Sequence, residues 1–350
     1  MNREHIIFAE IAKPAVEAHN VVGGETTAQL GLVSILTPCF NSAETLPRYM
    51  AGISSQTCRR FEVVFVNDGS TDDTERVFCR LAQATTGECG VSVKYIVQPN
   101  KGPCAAINTA IAHASGEFLL FCDSDDMLLP CAVAEFLEGF REHPEADMIF
   151  ARYNMCDSEG RVISQGPVIP IPSPNDVYDA LLAHGMFIKA GAYCFRRHCL
   201  DMLPMGKLNE ANYGQNLELL LHVAARGIIV FRDVVTVNLF ARPDSRSRRQ
   251  SVSALRRQTL DSKRIQMEII RQYGCRASTR RAFAARFLPM ESMLYFLEGN
   301  WRATVGCLFK SLVLGCLNRR LLQHAIFSAV PVLRRRLAQR WYPQYVAHTE

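Results

Sequence analysis

Between residues 32 and 121 the chain alternates two patterns. Short, mainly apolar runs at 32–37, 61–66, 91–97 and 116–121 read as strands, the last of them buried on both faces of a parallel sheet. Between them apolar residues recur every three or four positions, as at Leu46, Met50 and Ile53, the spacing of a helix with one buried face. The punctuation agrees with the period. Pro38 stops the first strand, Asn41-Ser42 offers an N-cap to the helix behind it, and Ser70 with Asp73 has the spacing of a capping box for the next. A third helix is expected from Pro103 to about residue 114, with proline in its first turn and Gly116 just past its end. Strand and helix in strict succession imply right-handed crossovers. The expected fold class is therefore α/β, a doubly wound, mostly parallel sheet that holds ligands beyond the carboxyl ends of its strands. Pro38, Asp68, Asn100 and Asp123 all fall on that rim.

After Pro130 a helix should reach about His143, followed by a strand at 148–153. Pro167, Pro170, Pro172 and Pro174 then impose a long irregular stretch, often a lid or an acceptor-facing wall. Leu217, Leu220, Leu221 and Ala224 mark another helix ended by Gly227, and 228–231 a strand. From about Ser251 the pattern is helical throughout, while residues 1–30 show no clear period and read as an arm.

Composition narrows the setting. At 350 residues and 48% hydrophobic content there is ample material for a core. The first thirty residues carry Glu4, Glu10, Lys13, Glu17 and Glu25 and no continuous apolar segment, so nothing there reads as a secretion signal. The 13 cysteines include no Cys-x-x-Cys pair and read as reduced, mostly buried thiols of a cytoplasmic protein. The apolar stretch 303–317 is broken by Lys310 and falls short of the ~20 residues a spanning helix needs. Charge is divided unevenly: from Ala241 onward 21 Lys and Arg face 6 Asp and Glu, whereas residues 1–240 hold 18 against 28. A basic helical tail on an acidic body suits the anionic inner face of a membrane or a solvated surface. Nucleic-acid binding would rest on the arginines alone and is not expected.

The chemistry gathers at Asp123-Ser124-Asp125-Asp126, which directly follows the strand 116–121. Three carboxylates in four residues at the end of a buried strand repel one another and resist desolvation, so a cation is expected there. Alternate carboxylates at the mouth of a sheet suit Mn2+ or Mg2+, hard ions that keep positions open for phosphate oxygens. Asp126 could equally cap the helix that follows.

Four segments in order, Val33-Ser34-Ile35-Leu36-Thr37-Pro38-Cys39-Phe40-Asn41, Val66-Asn67-Asp68-Gly69-Ser70-Thr71-Asp72, Asn100-Lys101-Gly102-Pro103 with Asn108, and Asp123-Ser124-Asp125-Asp126, resemble the family 2 glycosyltransferases of GT-A fold. The resemblance implies an inverting, non-processive transfer of one sugar from a nucleotide-sugar donor, UDP before dTDP or GDP, to a saccharide or lipid-linked acceptor, in the assembly of cell-surface polysaccharide. It implies nucleotide contacts from Thr37, Pro38, Phe40, Asn41, Asp68, Gly102, Asn108, Asp123 and Ser124. Asp68 would accept the imide N–H of a uracil ring and Phe40 would lie against the base. Asp125, with Asp123, would hold the metal. The expected organisation is an arm over 1–30, a GT-A domain over 31–245 with a nucleotide-binding half (31–130) and an acceptor-side half (131–245), and a basic helical region over 251–350.

The resemblance fails at the catalytic base. Gln215-Asn216 stands where the family commonly has Glu-Asp, and an amide does not take a proton at neutral pH. Asn216 marks the position, with Glu210 and Glu218 the neighbouring carboxylates that could serve. Arg242 and Arg246 lie in a segment resembling the loop that closes over the diphosphate. The missing carboxylate leaves open a silent sugar-nucleotide-binding or scaffold protein of the same fold. A nucleotidyltransferase would want a Gly-rich loop after the first strand, where Pro38-Cys39-Phe40-Asn41 has none.

Overall fold

The computed structural model describes residues 28–167, 173, 176–185, 187–210, 216–241, 251–316 and 319–342. They fall into two compact units, the first ending at 177 and resuming over 187–241, the second comprising 178–185 and the chain from 251.

The first unit is a nine-stranded sheet with flanking helices. Its parallel part is the one the apolar runs announce: β1 (Gln29–Cys39), β2 (Phe61–Asp68), β3 (Ser92–Gln98) and β4 (Gly116–Phe121), arranged β3-β2-β1-β4. They alternate with helices α1 (Leu46–Ser54), α2 (Thr74–Cys89) and α3 (Pro103–His113). Every residue of β2 is buried, which is why its sequence shows no polar alternation. Phe65 stacks on Phe78 of α2 with centroids 4.1 Å apart, and Phe78 on Tyr95 of β3 at 4.7 Å, tying the helix to the sheet.

Beyond β4 the sheet becomes mixed. A two-residue strand β5 (Met127–Leu128) leads into α4 (Ala132–Glu142), β6 (Met148–Cys156) and β7 (Val162–Gly166). Then come α5 (Val177–His184), which apart from Val177 belongs to the second unit, β8 (Tyr193–Arg196), a 3-10 turn over Arg197–Met202, α6 (Leu217–Arg226) and β9 (Ile229–Phe240). β8 lies antiparallel between β4 and β6, β6 runs parallel to β9, and β5 pairs antiparallel with the end of β9. This last pairing folds the chain back directly after the acidic turn.

At the edge of the sheet remote from that turn, Glu62 is buried within a polar knot. It accepts from Ser34 Oγ at 2.7 Å and the Ser115 amide at 2.5 Å, and pairs with Lys94 Nζ at 2.8 Å. Gly116 sits against it: a Cβ there would meet Leu32 O at 2.6 Å and Ser34 Oγ at 2.7 Å, so no larger residue fits.

The second unit is helical, as the repeats after Ser251 predict: α7 (Val252–Tyr273), α8 (Ala277–Glu298), α9 (Trp301–Val313), α10 (Arg319–Ser328) and α11 (Pro331–Trp341). Ser251 and Asn300 cap α7 and α9 by accepting from the Ala254 and Ala303 amides. The Tyr178 hydroxyl of α5 donates to Gly274 O at 2.9 Å at the end of α7. His324 is buried in α10, bonded through Nδ1 to Ser292 Oγ at 3.0 Å and through Nε2 to Tyr342 OH at 2.8 Å.

Candidate active site

Parallel strands deliver their following loops to one rim, and the turn after β4 is its centre. Asp123, Asp125 and Asp126 bring carboxylate oxygens within 4.8 Å of one another. Asp126 is buried, and its acid is pushed well up by burial and by the charges of Asp125 and Asp123. Its Oδ1 accepts the Phe240 amide at 3.1 Å, which pins the end of β9 to the turn. The expected capping role does not hold, since α4 begins at Ala132 with Cys131 as its N-cap. Arg48 of α1 spans the turn from the other side. Its Nη2 donates to Asp125 O at 2.6 Å and its guanidinium lies 3.5 Å from the centre of the Phe240 ring. All-oxygen donors under mutual repulsion are the donor set of a hard divalent cation, so the residues fit Mn2+ or Mg2+.

The loops after β1 and β2 are laced to this turn. Ser42 Oγ and Ser124 Oγ are 2.8 Å apart, and Thr45 Oγ1 donates to Ser124 O at 3.0 Å. Asn41, at φ +51°, accepts from the Thr71 amide at 2.8 Å and donates its own amide to Ser70 Oγ at 2.9 Å. The helix starts therefore differ from the sequence expectation. Ser70 Oγ serves Asn41 rather than a capping box, and Asp72 Oδ1 accepts the Thr74 amide at 3.1 Å. α1 has Thr45 as its N-cap, with Asn41-Ser42 left to the rim.

Asp68, at the tip of β2, is buried with both oxygens engaged. Oδ1 accepts from the Lys101 amide at 2.9 Å and Gln98 Nε2 at 2.8 Å, and Oδ2 from the Gly102 amide at 2.9 Å. It thus holds the loop entering α3 in place, and Gly102 joins the site through its backbone. Gly69, at φ +70°, packs beneath the same loop, where a Cβ would meet the Asn100 nitrogen at 2.8 Å.

Two expected contacts take other partners. Thr37 is wholly buried with its hydroxyl 2.6 Å from Tyr49 OH, so it shapes the core under the rim instead of a ligand wall. The Asn108 amide is spent on residues 208–210: Nδ2 donates to Leu208 O at 2.9 Å and Glu210 Oε1 at 3.1 Å, and Oδ1 accepts the Leu208 amide at 3.0 Å. Pro38 is half-buried, and Phe40 stands 44% exposed at the rim, a free aromatic face.

Asn216 precedes α6, and its Oδ1 accepts the Tyr193 hydroxyl at 2.7 Å. Tyr193 is completely buried, and burial together with the Asp123 charge pushes its phenol well above the ordinary range, so it acts as a donor. The Asn216 amide is therefore coupled through Tyr193 to the neighbourhood of Asp123. Glu218 is buried and accepts the Asn209 amide at 3.1 Å; Glu210, half-exposed, lies 3.8 Å from Lys207. Arg242 and Arg246 lie outside the described residues. Arg48, Tyr193 and Phe240 carried no motif: each reaches the site through a long-range pairing that the sequence does not announce.

A second trio, Asp147, His198 and Cys199, lies at the opposite edge of β6 and β8, but its atoms serve one another. Asp147 Oδ1 bonds His198 Nε2 at 2.7 Å and Oδ2 accepts the Ile228 amide at 2.7 Å, while burial pushes the Cys199 thiol up to about 12.

A mixed sheet with an acidic turn after its central parallel strand defines a GT-A type α/β protein. The model of glycosyl transferase family 2 matches residues 34–200, and this part of the chain belongs to that family. Among solved structures it resembles Staphylococcus aureus TarS 1-349 in complex with UDP, at TM-score 0.58 and 18% identity over 90% of this chain and 92% of that one, a likeness of fold. Chondroitin synthase of Escherichia coli is 34% identical over 159 residues, 45% of this chain but 22% of that protein. A Campylobacter jejuni GalNAc(5)-diNAcBac-PP-undecaprenol beta-1,3-glucosyltransferase is 24% identical over 306 residues, 85% of this chain and 94% of that one.

Proposed function

We propose that the protein is a metal-dependent glycosyltransferase that moves one sugar, with inversion, from a nucleotide-sugar, foremost a UDP-sugar, to a saccharide or lipid-linked acceptor. The observation that carries this reading is the trio Asp123, Asp125 and Asp126 at the rim, in reach of loops ordered by Asp68, Asn41 and Ser124. TarS was solved with UDP, and the Campylobacter relative that matches along most of this chain acts on a lipid-linked saccharide. Both support the donor and acceptor classes. The setting consistent with such a donor is the cytoplasm, in the assembly of cell-surface polysaccharide.

Asp125 and Asp123 would hold the ion, which when bound supplies a Lewis acid that offsets charge growing on the departing diphosphate. Phe40 offers its exposed ring to the base. Asp68 keeps the entry to α3 in place, and its Oδ2, which accepts one bond where Oδ1 accepts two, retains a lone pair for an imide N–H. Arg48 keeps the acidic turn from splaying.

A second reading, a sugar-nucleotide-binding protein without turnover, is favoured by one observation: the amide of Asn216, whose oxygen accepts a hydrogen bond from the Tyr193 hydroxyl, is no base. Calorimetric titration with UDP in the presence and absence of Mn2+ tests what the two readings share. Binding that needs the metal and is lost in Asp125→Ala is expected; metal-independent binding would remove the acidic turn from the donor site.

A further inference from the structure

Helix α9 inverts the usual rule of amphipathic helices. α9 buries Thr304, Cys307 and Ser311, whose hydroxyls are satisfied within the helix itself, Thr304 Oγ1 by Asn300 O at 2.8 Å and Ser311 Oγ by Leu308 O at 2.7 Å. Its outer face carries Trp301, Phe309 (64% exposed), Leu312 and Val313 (87%); the first three share one stripe. α10 buries His324 and Ser328 along with Leu321 and Ala325, and still presents Leu322 and Ile326 (56% exposed), four apart on one outer line, with Val330 exposed just beyond its end. The two helices pack on α8 and on each other within the second unit. Large apolar side chains turned outward on both helices make a surface that water penalises.

Charge identifies what covers it. Residues 299–349 hold eight Lys and Arg and no Asp or Glu. Among them Arg302 and Lys310 on α9, Arg319 and Arg320 on α10, and Arg335 and Arg336 on α11 are exposed. A protein partner or a second copy would have to set acidic groups against them, and this segment supplies none to itself. A bilayer with anionic headgroups satisfies both features at once, taking the apolar stripes to the depth of the acyl boundary and the guanidinium groups at headgroup level. No helix among the described residues is long and apolar enough to cross a membrane, so the contact is lateral. We infer that the α9–α10 face, with the arginines of α11, is a docking surface for an anionic lipid bilayer.

The inference goes beyond the transfer reading and does not depend on it, because lipid binding is measured without donor or acceptor. The full chain is sedimented with vesicles of phosphatidylcholine alone, or with about one part in three phosphatidylglycerol. Binding to the anionic vesicles, weakened by salt, is expected. Phe309→Ser with Leu312→Ser should lower the partition about tenfold by removing buried apolar area. Arg335→Glu with Arg336→Glu should abolish the preference for anionic vesicles. All four positions are exposed, so the melting temperature reports whether each variant stays folded. Equal sedimentation with both vesicle types, undiminished binding by the serine variant, or a dimer in solution that the serine variant dissociates would each overturn it.

Discussion

In the proposed function, Asn216 stands at the position expected of the catalytic base. Its side chain accepts from Tyr193, and an aspartate could accept the same proton. Asn216→Asp should therefore leave thermal stability nearly unchanged while raising turnover about tenfold or more, within the span a positioned general base supplies. Initial rates of nucleotide release measure this, and an unchanged rate would place the base elsewhere. Asn216→Ala instead strands a buried phenol, at a cost of about 1–3 kcal/mol, visible in urea unfolding. The acidic turn was legible because three carboxylates in four residues have no packing reason to follow a buried strand. Its partners were not. Arg48 reads as one surface residue of α1, and Tyr193 as one aromatic in a stretch without motif; only the fold carries them to Asp125 and to Asn216.

At the scale of elements, β1, β2 and β4 were legible because strands buried on both faces are written as mainly apolar runs, and β3, at the sheet edge, because Val93, Tyr95 and Ile96 are still buried. β5 and β8 were not, being two and four residues long, too short for any period to show. β9 was foreseen over 228–231 but runs from Ile229 to Phe240, its polar residues Arg232, Asp233 and Asn238 hiding the pattern. The loop into α3 depends on Asp68 above and Gly69 below. Gly69→Ala forces a side chain into positive φ against the Asn100 nitrogen, and should cost about 1–2 kcal/mol and weaken UDP binding together. Loss of stability with unchanged binding would separate this loop from the donor site. At the other edge, Glu62→Ala leaves Lys94 and the Ser115 amide without their buried partner, and a loss of about 3 kcal/mol is expected in urea unfolding.

For the molecule as a whole, the uneven charge read from composition corresponds to a distinct helical unit, and its internal chemistry sets a pH limit. Burial and the nearby Arg320 push His324 down to about 4. In the unfolded chain a histidine titrates near 6.5, so between roughly pH 6.5 and 4 the unfolded state binds the extra proton. The contribution of neutral His324 is complete above that window and is lost as pH falls through it, amounting to about 3 kcal/mol. Melting curves of the wild type and His324→Gln should converge toward pH 4; parallel curves would refute the assignment. The arrangement of the second unit's outer face was hidden in the sequence because an inverted helix has the same period as an ordinary one, and only burial tells which side faces in.

The central claim is that the acidic turn serves transfer from a nucleotide-sugar. The purified protein is incubated with Mn2+, a panel of UDP-, dTDP- and GDP-sugars and saccharide or lipid-linked acceptors, and free nucleotide is measured. The account predicts UDP release that requires the metal and falls at least about a hundredfold in Asp125→Ala, the scale of one lost electrostatic stabiliser. Release that is indifferent to both the metal and Asp125 would contradict it.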